Sequence, residues 1–352
     1  MCKKLAAVLM VLLLCTLCAC TQKTEYYEKT GFAMGSAVSV RVYGSEKPLE
    51  VTAKAIEAVN KTDALLNPNL EESDIYKLNQ SRTGCAVSRE AFDILRTCLS
   101  VAGTTGFVLD ISIGAVSALW GFDTQSPSLP DEAALQEALQ TVNMQNLHLD
   151  EELLTLSKAE GQKLDLGAVG KGIACNQALR ALRGELAPAI VSVGGTVLLY
   201  GNHPDAESWS VGIRNPLGSA NDYCATLHLT VEESDDTLVL STSGNYEKTF
   251  TENGKTYHHI LDPATGMPIE NDILGVTVIS PDGLVSDALS TVLYIHGLSE
   301  ASQTIIENYR VQAVFLTADG RCVVTEDLLD KITLNDNTWQ LCSLSEALGE
   351  SA

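Results

Sequence analysis

Hydrophobic and polar positions change period repeatedly along the chain, and each change marks an element. Residues 36–44, "SAVSVRVYG", alternate with period two and predict a strand. Residues 48–66, "PLEVTAKAIEAVNKTDALL", take up the helical period and stop before Asn67-Pro68. A second helix is predicted over 88–106, with Ser88 as N-cap, Glu90 in the first turn and an apolar stripe running to a glycine stop. A third is predicted over 131–142, just after Pro130, and a fourth over 175–185. "LHLDEELLTLS" predicts a short hairpin around Asp150-Glu151. "APAIVSVGGTVLLYG", "SWSVGIRNP", "CATLHLTV", "TLVLSTSG" and "GVTVIS" follow as strands. Then come the short helices "VSDALSTVLYIHG" and "ASQTIIENYR" and the strands of "VQAVFLTADGRCVVT". Strands succeed strands without regular βαβ alternation. This predicts an α+β fold, an antiparallel meander with interspersed helices.

The length of 352 residues suits one large domain or two intimate ones with an ample core, and 45% apolar residues exclude a disordered chain. Charge narrows the partners. With 45 acidic against 23 basic residues the net charge is −22, a field that repels a phosphate backbone and makes nucleic acid a poor partner. A phosphorylated ligand can still be held where a metal ion or backbone N–H groups screen the charge locally. Cys85, Cys98, Cys175, Cys224, Cys322 and Cys342 are scattered, with no C-x-x-C pair, which argues against a zinc or iron–sulfur site and leaves disulfide pairing open.

The first twenty residues, "MCKKLAAVLMVLLLCTLCAC", place two lysines before an apolar run from Leu5 to Leu14 that is too short and too early for a membrane span. "LCAC" resembles a bacterial lipobox, with Ala19 before Cys20. The expectation is an exported lipoprotein: a signal peptide over 1–19, a lipid on Cys20 and a tether over 20–30. The main domain is expected over 31–342 and a tail over 343–352. An ordinary cleaved signal peptide is the alternative.

Three stretches carry candidate chemistry. "GAVGKG" (167–172) fails the phosphate-loop spacing, since Gly172 stands where Ser or Thr is required. Its glycines nevertheless allow close backbone approach before a helix, with Asp165 and Lys171 flanking the point. Asp287, Ser290 and Thr291 fall at i, i+3 and i+4 and share a helix face. That all-oxygen set suits Mg²⁺, although a solvated or capping face is the plainer reading for these three alone. Asp110 lies alone in the apolar "GFVLDISIGAVSALWGF" and needs partners if buried, while Trp120 and Phe122 read as core.

The order of the motifs says more than any one of them. "MGSAVSV", "LDISIGAVSALWGF", "LDLGAVGKG", "VSVGGTVLLYG", "WSVGIRNP", "STSGNYEK", "HHILDPATGMPI" and "SDALSTVL" together resemble the FAD:protein FMN transferase (ApbE) family, over residues 31 to about 320. The resemblance implies that family's mixed fold, with the active site in a cleft between subdomains. It implies bacterial exported or lipid-anchored enzymes on the extracytoplasmic face of the cell membrane. These use Mg²⁺ and move FMN from FAD onto a Thr or Ser hydroxyl of a flavoprotein, of the kind found in sodium-pumping NADH:quinone oxidoreductases and Rnf complexes. By the same resemblance the metal is expected on Asp287, Thr291 and the Ala168 carbonyl. Ser290 stands where some members have a second Asp, which bears on a second metal. Flavin and adenine contacts are expected from Met34, Val108, Leu109, Asp110, Asp165, Lys171 and Ile260. His259, within "H-I-x-D-P-x-T-G", is expected to take the proton from the acceptor hydroxyl, as a neutral imidazole can near pH 7. Asp262 and Thr265 are expected to shape the loop and fix the ring's tautomer, with His258 a bystander and the remaining histidines structural. Two other outcomes stay open: hydrolysis of FAD to FMN and AMP at the same site, and a flavin-binding lipoprotein without catalysis.

Overall fold

The computed structural model describes residues 23–184, 187–219, 221–231 and 236–349. Its centre is a nine-stranded sheet of β1 (Tyr26–Ala33), β2 (Ser36–Tyr43), β3 (Ala189–Val193), β4 (Thr196–Tyr200), β5 (Thr237–Gly244), β6 (Ile273–Ser280), β7 (Gln312–Thr317), β8 (Arg321–Val324) and β9 (Gln340–Ser343). Their order across the sheet is their order in the chain, and every pair is antiparallel except β8–β9. The α+β meander expected from the pattern is the architecture found.

Nine helices are described: α1 (Pro48–Leu66), α2 (Asp74–Gln80), α3 (Arg89–Thr104), α4 (Gly114–Trp120), α5 (Glu132–Leu139), α6 (Gly170–Leu182), α7 (Gly283–His296), α8 (Glu300–Tyr309) and α9 (Leu344–Leu348). Period-two alternation sorts the sheet into two faces. Val38, Val40, Val191, Val193, Leu198 and Val239 meet α1 and α6. Further along the same face, Val276, Val278, Ala313, Phe315 and Val323 meet α3 and α7. The intervening residues Leu199, Leu240, Ile279, Val314 and Leu316 point the other way. They pack on a three-stranded sheet of Trp209–Arg214, Tyr223–Leu229 and Ile332–Leu334. A smaller core joins Val116 and Trp120 of α4, Leu135 of α5, and Tyr257 and Leu261.

Several boundaries differ from the pattern. The expected tether is ordered chain from residue 23: Thr24 donates its N–H and hydroxyl to the Asp205 carboxylate, and β1 begins at Tyr26. An edge strand exposed on most of its length has no hydrophobic alternation to betray it. The signal segment and Cys20 lie outside the described residues. The expected tail opens instead as α9, where Ser343 and Glu346 form a capping box and Leu344 is buried. Asp131, the first residue of the expected third helix, is the N-cap of α5, and the helix ends at Leu139 rather than at residue 142. Helix α6 starts at Gly170, inside the glycines, rather than at residue 175. Glycine is a poor helix former, and a tertiary contact described below overrides that preference. All six described cysteines are free thiols. Cys342 stands opposite Val323, so Cys322 and Cys342 project to opposite faces of the sheet.

Candidate active site

A cavity of about 840 Å³ opens at one end of the sheet. Its lining includes Met34, Val108, Leu109, Asp110, Asp165, Ala168, Lys171, His259, Ile260, Asp287 and Thr291. Eleven residues spread over more than 250 positions are thereby brought to one place.

The first wall is made by α6 and α7. A Cβ on Gly172 would lie 1.9 Å from the Gly283 carbonyl oxygen, and one on Gly283 would lie 2.3 Å from the Gly172 oxygen, so the helices cross backbone to backbone. Asn176 fastens the crossing: its Oδ1 accepts from the Gly283 N–H at 2.8 Å, and its Nδ2 donates to the Asp282 cap at 3.1 Å. Asp287, one turn along α7, is buried and accepts the Gly172 N–H at 2.9 Å. Burial pushes its carboxyl above the usual range, against the opposing pull of Lys171 and the N–H groups at the start of α6. Among the described residues no backbone N–H reaches the half-buried Ala168 carbonyl.

Hydroxyls continue this wall. Ser243 of β5 lies 2.8 Å from the Ser290 hydroxyl and 3.1 Å from that of Thr291, and Ser290 donates to the Asp287 carbonyl at 2.8 Å. Ser290 is therefore buried in a hydroxyl network. Among the described residues no group of three or more His, Cys, Asp or Glu side chains gathers in metal-ligating array. A metal here would rest on one carboxylate, one hydroxyl and a carbonyl, an oxygen set that fits Mg²⁺ and its retained waters.

The second wall is the loop after the hairpin Thr249–Glu252/Lys255–His258. Asp262 organises it. Its Oδ1 accepts from the Ala264 N–H at 2.8 Å, its Oδ2 from the Thr265 hydroxyl at 3.1 Å, and its carbonyl from the Gly266 N–H at 2.7 Å. Gly266 has φ 69°, and its carbonyl accepts the Trp120 indole N–H at 2.8 Å, which ties the loop to the small core. Trp120 is core, as its sequence context predicted.

One expected detail is corrected. The group that fixes the His259 tautomer is the Glu247 carbonyl, 3.1 Å from Nδ1, rather than Asp262 or Thr265. A carbonyl only accepts, so Nδ1 carries the proton and Nε2 keeps its lone pair. Arg214 steadies the Glu247 segment, 4.9 Å over the Tyr246 ring and 3.8 Å from the Glu247 carboxylate. Burial, with Lys248 and Lys171 nearby, lowers the His259 pKa to about 4, well below the near-neutral value its type suggests. His258 uses both nitrogens internally: Nε2 donates to the Ile269 carbonyl at 2.9 Å and Nδ1 accepts from the Ile260 N–H at 3.3 Å.

The remaining lining combines ligand-facing and structural groups. Asp110 is buried and accepts three hydrogen bonds. Oδ1 accepts from the Ser112 N–H and hydroxyl at 2.7 and 2.6 Å, and Oδ2 from the Met144 N–H at 2.9 Å, so this carboxylate shapes the wall. Asp165 accepts the Gly167 N–H at 2.8 Å. Met34 sits at φ 55° in the two-residue turn between β1 and β2, a conformation that strains a side-chain-bearing residue, with its methyl against Gly170.

The sequence profile of the ApbE family matches residues 34–315, four-fifths of the chain. The chain belongs to the ApbE family. A Treponema pallidum (strain Nichols) protein named FAD:protein FMN transferase is 30% identical over 94% of this chain and 96% of its own. A namesake from Klebsiella pneumoniae (strain 342) is 26% identical, over 90% and 96%. The crystal structure of the ApbE protein of Thermotoga maritima MSB8 superposes with TM-score 0.78 at 26% identity, covering 87% of this chain and 99% of that one. The apo flavinyl transferase ApbE of Pseudomonas stutzeri, at 22% identity, shares the fold with TM-score 0.74 over 88% and 98%.

Within this ApbE site, the motif-based reading missed Ser243, Lys248 and the Glu247 carbonyl. All belong to "STSGNYEK", a motif recognised in the sequence but assigned no residue. Lys248 lines the cavity in a left-handed conformation (φ 44°) with its ammonium 2.5 Å from Asp123. It had no signal of its own beyond that motif.

Proposed function

We propose that this ApbE-family enzyme transfers FMN from FAD to a Thr or Ser hydroxyl of a flavoprotein, releasing AMP. The observation that carries the reading is the convergence of Asp287, Thr291, the Ala168 carbonyl, Lys171 and His259 on one cavity. Its volume lies toward the upper end of the roughly 300–1,000 Å³ typical of small-molecule sites. Asp287, Thr291 and the Ala168 carbonyl would hold Mg²⁺, which when bound polarises phosphoryl oxygens and offsets their charge. Lys171 and the N-terminal turn of α6 add positive potential for the diphosphate in a chain that is otherwise strongly acidic. His259 Nε2 accepts the acceptor's proton. The hydroxyl oxygen then bonds to the FMN phosphorus, and the bond from that phosphorus to the bridging oxygen breaks, leaving AMP. A ring with pKa about 4 is neutral and ready across physiological pH, though a weaker base than free imidazole.

We further propose that the chain is exported and lipid-anchored at Cys20 on the extracytoplasmic face of the membrane. The N-terminal pattern supports this, and no helix of the described residues is long and apolar enough to cross a membrane. Incubation with FAD, Mg²⁺ and the envelope proteins of its own cell tests the activity. A flavin-fluorescent band on a denaturing gel is expected. Free FMN and AMP without any band would assign hydrolysis instead, and no turnover of FAD at all would assign binding without catalysis.

A further inference from the structure

A transferase that modifies a protein must admit a polypeptide beside its nucleotide, and the lining of the cavity alone does not say where. The sheet does. Strand β1 is the terminal strand of the nine, and among the described residues no other strand pairs with its outer side. It keeps unbroken register with β2 from Tyr26↔Tyr43 to Ala33↔Ser36, without bulge or proline. Natural sheets normally blunt such an edge; here the charged residues Glu28 and Lys29 lie toward its start, and its end at Phe32 carries none.

The hydrogen-bond parity of β1 is fixed by its turn. A two-residue hairpin closes on a hydrogen-bonded pair, so Ala33 and the other odd-numbered residues bond to β2. The Glu25 carbonyl, accepting the Gly44 N–H at 2.9 Å, keeps the same parity at the far end. Residues 26, 28, 30 and 32 therefore aim their N–H and C=O groups outward. Phe32 is 75% exposed, an aromatic side chain on an open edge, and it borders the mouth of the cavity two residues before Met34.

We infer that the free edge of β1 is the docking strand for the acceptor. An extended segment of the acceptor protein pairs with residues 28–32 and packs an apolar side chain on Phe32. The strand's end at the mouth then lets its Thr or Ser hydroxyl enter beside the nucleotide. Main-chain pairing gives affinity with little sequence demand, and the Phe32 contact adds selectivity. Continuity of the edge with the catalytic cavity favours this occupant over a second copy of the chain. The inference rests on the transferase reading above.

The test uses the full chain, FAD, Mg²⁺ and the acceptor that the wild type renders fluorescent. Thr30→Pro removes one outward N–H while sparing the β1–β2 ladder, as edge strands tolerate. It should leave FAD binding, read by quenching of flavin fluorescence, unchanged and raise the KM for acceptor about tenfold, with Thr30→Ala close to wild type. Phe32→Ala, which leaves the backbone untouched, should also raise that KM. Unaltered acceptor KM in both variants, with transfer intact, overturns the docking strand and leaves the transferase reading standing. A wild type that labels no acceptor removes the transferase reading itself. Sedimentation showing a wild-type dimer that Thr30→Pro dissociates would give the edge to a second copy, which also overturns the inference.

Discussion

On one wall of the cavity Asp287 is buried where α6 and α7 touch backbone to backbone; on the other His259 stands on a turn fastened to a small aromatic core. The first wall holds a carboxyl where charge is costly, and burial pushes its pKa up. The second holds a neutral ring and keeps it neutral, with one nitrogen given to the Glu247 carbonyl. A buried carboxylate beside a hydroxyl and a carbonyl suits a cation, and a ring held in one tautomer with a free Nε2 suits a proton. On the proposed function, the two halves of a phosphoryl-type transfer would rest on two different supports.

The largest expected effect breaks the second wall. His259→Ala should cut transfer by roughly 10²–10⁴-fold, the usual worth of a positioned base, with FAD binding retained by fluorescence titration. Undiminished flavinylation would refute the assignment. Next, Asp287→Asn keeps the side-chain volume and can still accept the Gly172 N–H, but it loses the buried charge. Activity should fall about a hundredfold at ordinary Mg²⁺ concentration. The melting temperature of the metal-free protein should change little, because Asn removes the cost of burying a carboxyl but also gives up one acceptor oxygen. A fall in both would mean that the carboxylate serves the fold. Gly172→Ala strikes the crossing that positions Asp287. A Cβ placed 1.9 Å from a carbonyl oxygen must push the helices apart. The expected cost is about 1–3 kcal/mol or more by denaturant titration.

The smallest effect sharpens the contrast through pH. His259 has its folded pKa near 4 against 6.5 for the free group. Its stabilising contribution is complete above pH 6.5 and is lost as the pH falls through the window down to about 4, where the unfolded chain binds the proton first. His259→Gln should flatten the stability curve over that window. The acid limb of kcat/KM for FAD transfer should lie near pH 4 rather than 6.5. A limb at 6.5 would place the ring in water.

Helix α1 was legible to the residue, and so was the N-cap of α3, because Ser88 acts through its own neighbours in the chain. Edge strand β1 was not, because its stability comes from the β2 ladder and leaves no apolar pattern in its own residues. The start of α6 was hidden for the opposite reason: its glycines argue against helix locally and are required by the partner helix.

By itself the sequence determined the order of motifs, the alternation that makes a meander, and the side-chain types that phosphoryl chemistry needs. Tertiary structure alone decided that Glu247 orients His259 and that Asp110 ties its own loop to the Met144 N–H. It also decided that Ser243 closes the hydroxyl network and that β1 presents an open edge at the cavity mouth. Periodicity and capping act through covalent neighbours and can be read along the chain. A backbone carbonyl, a helix crossing or an unpaired strand edge acts through space, and its partner exists only once the chain has folded.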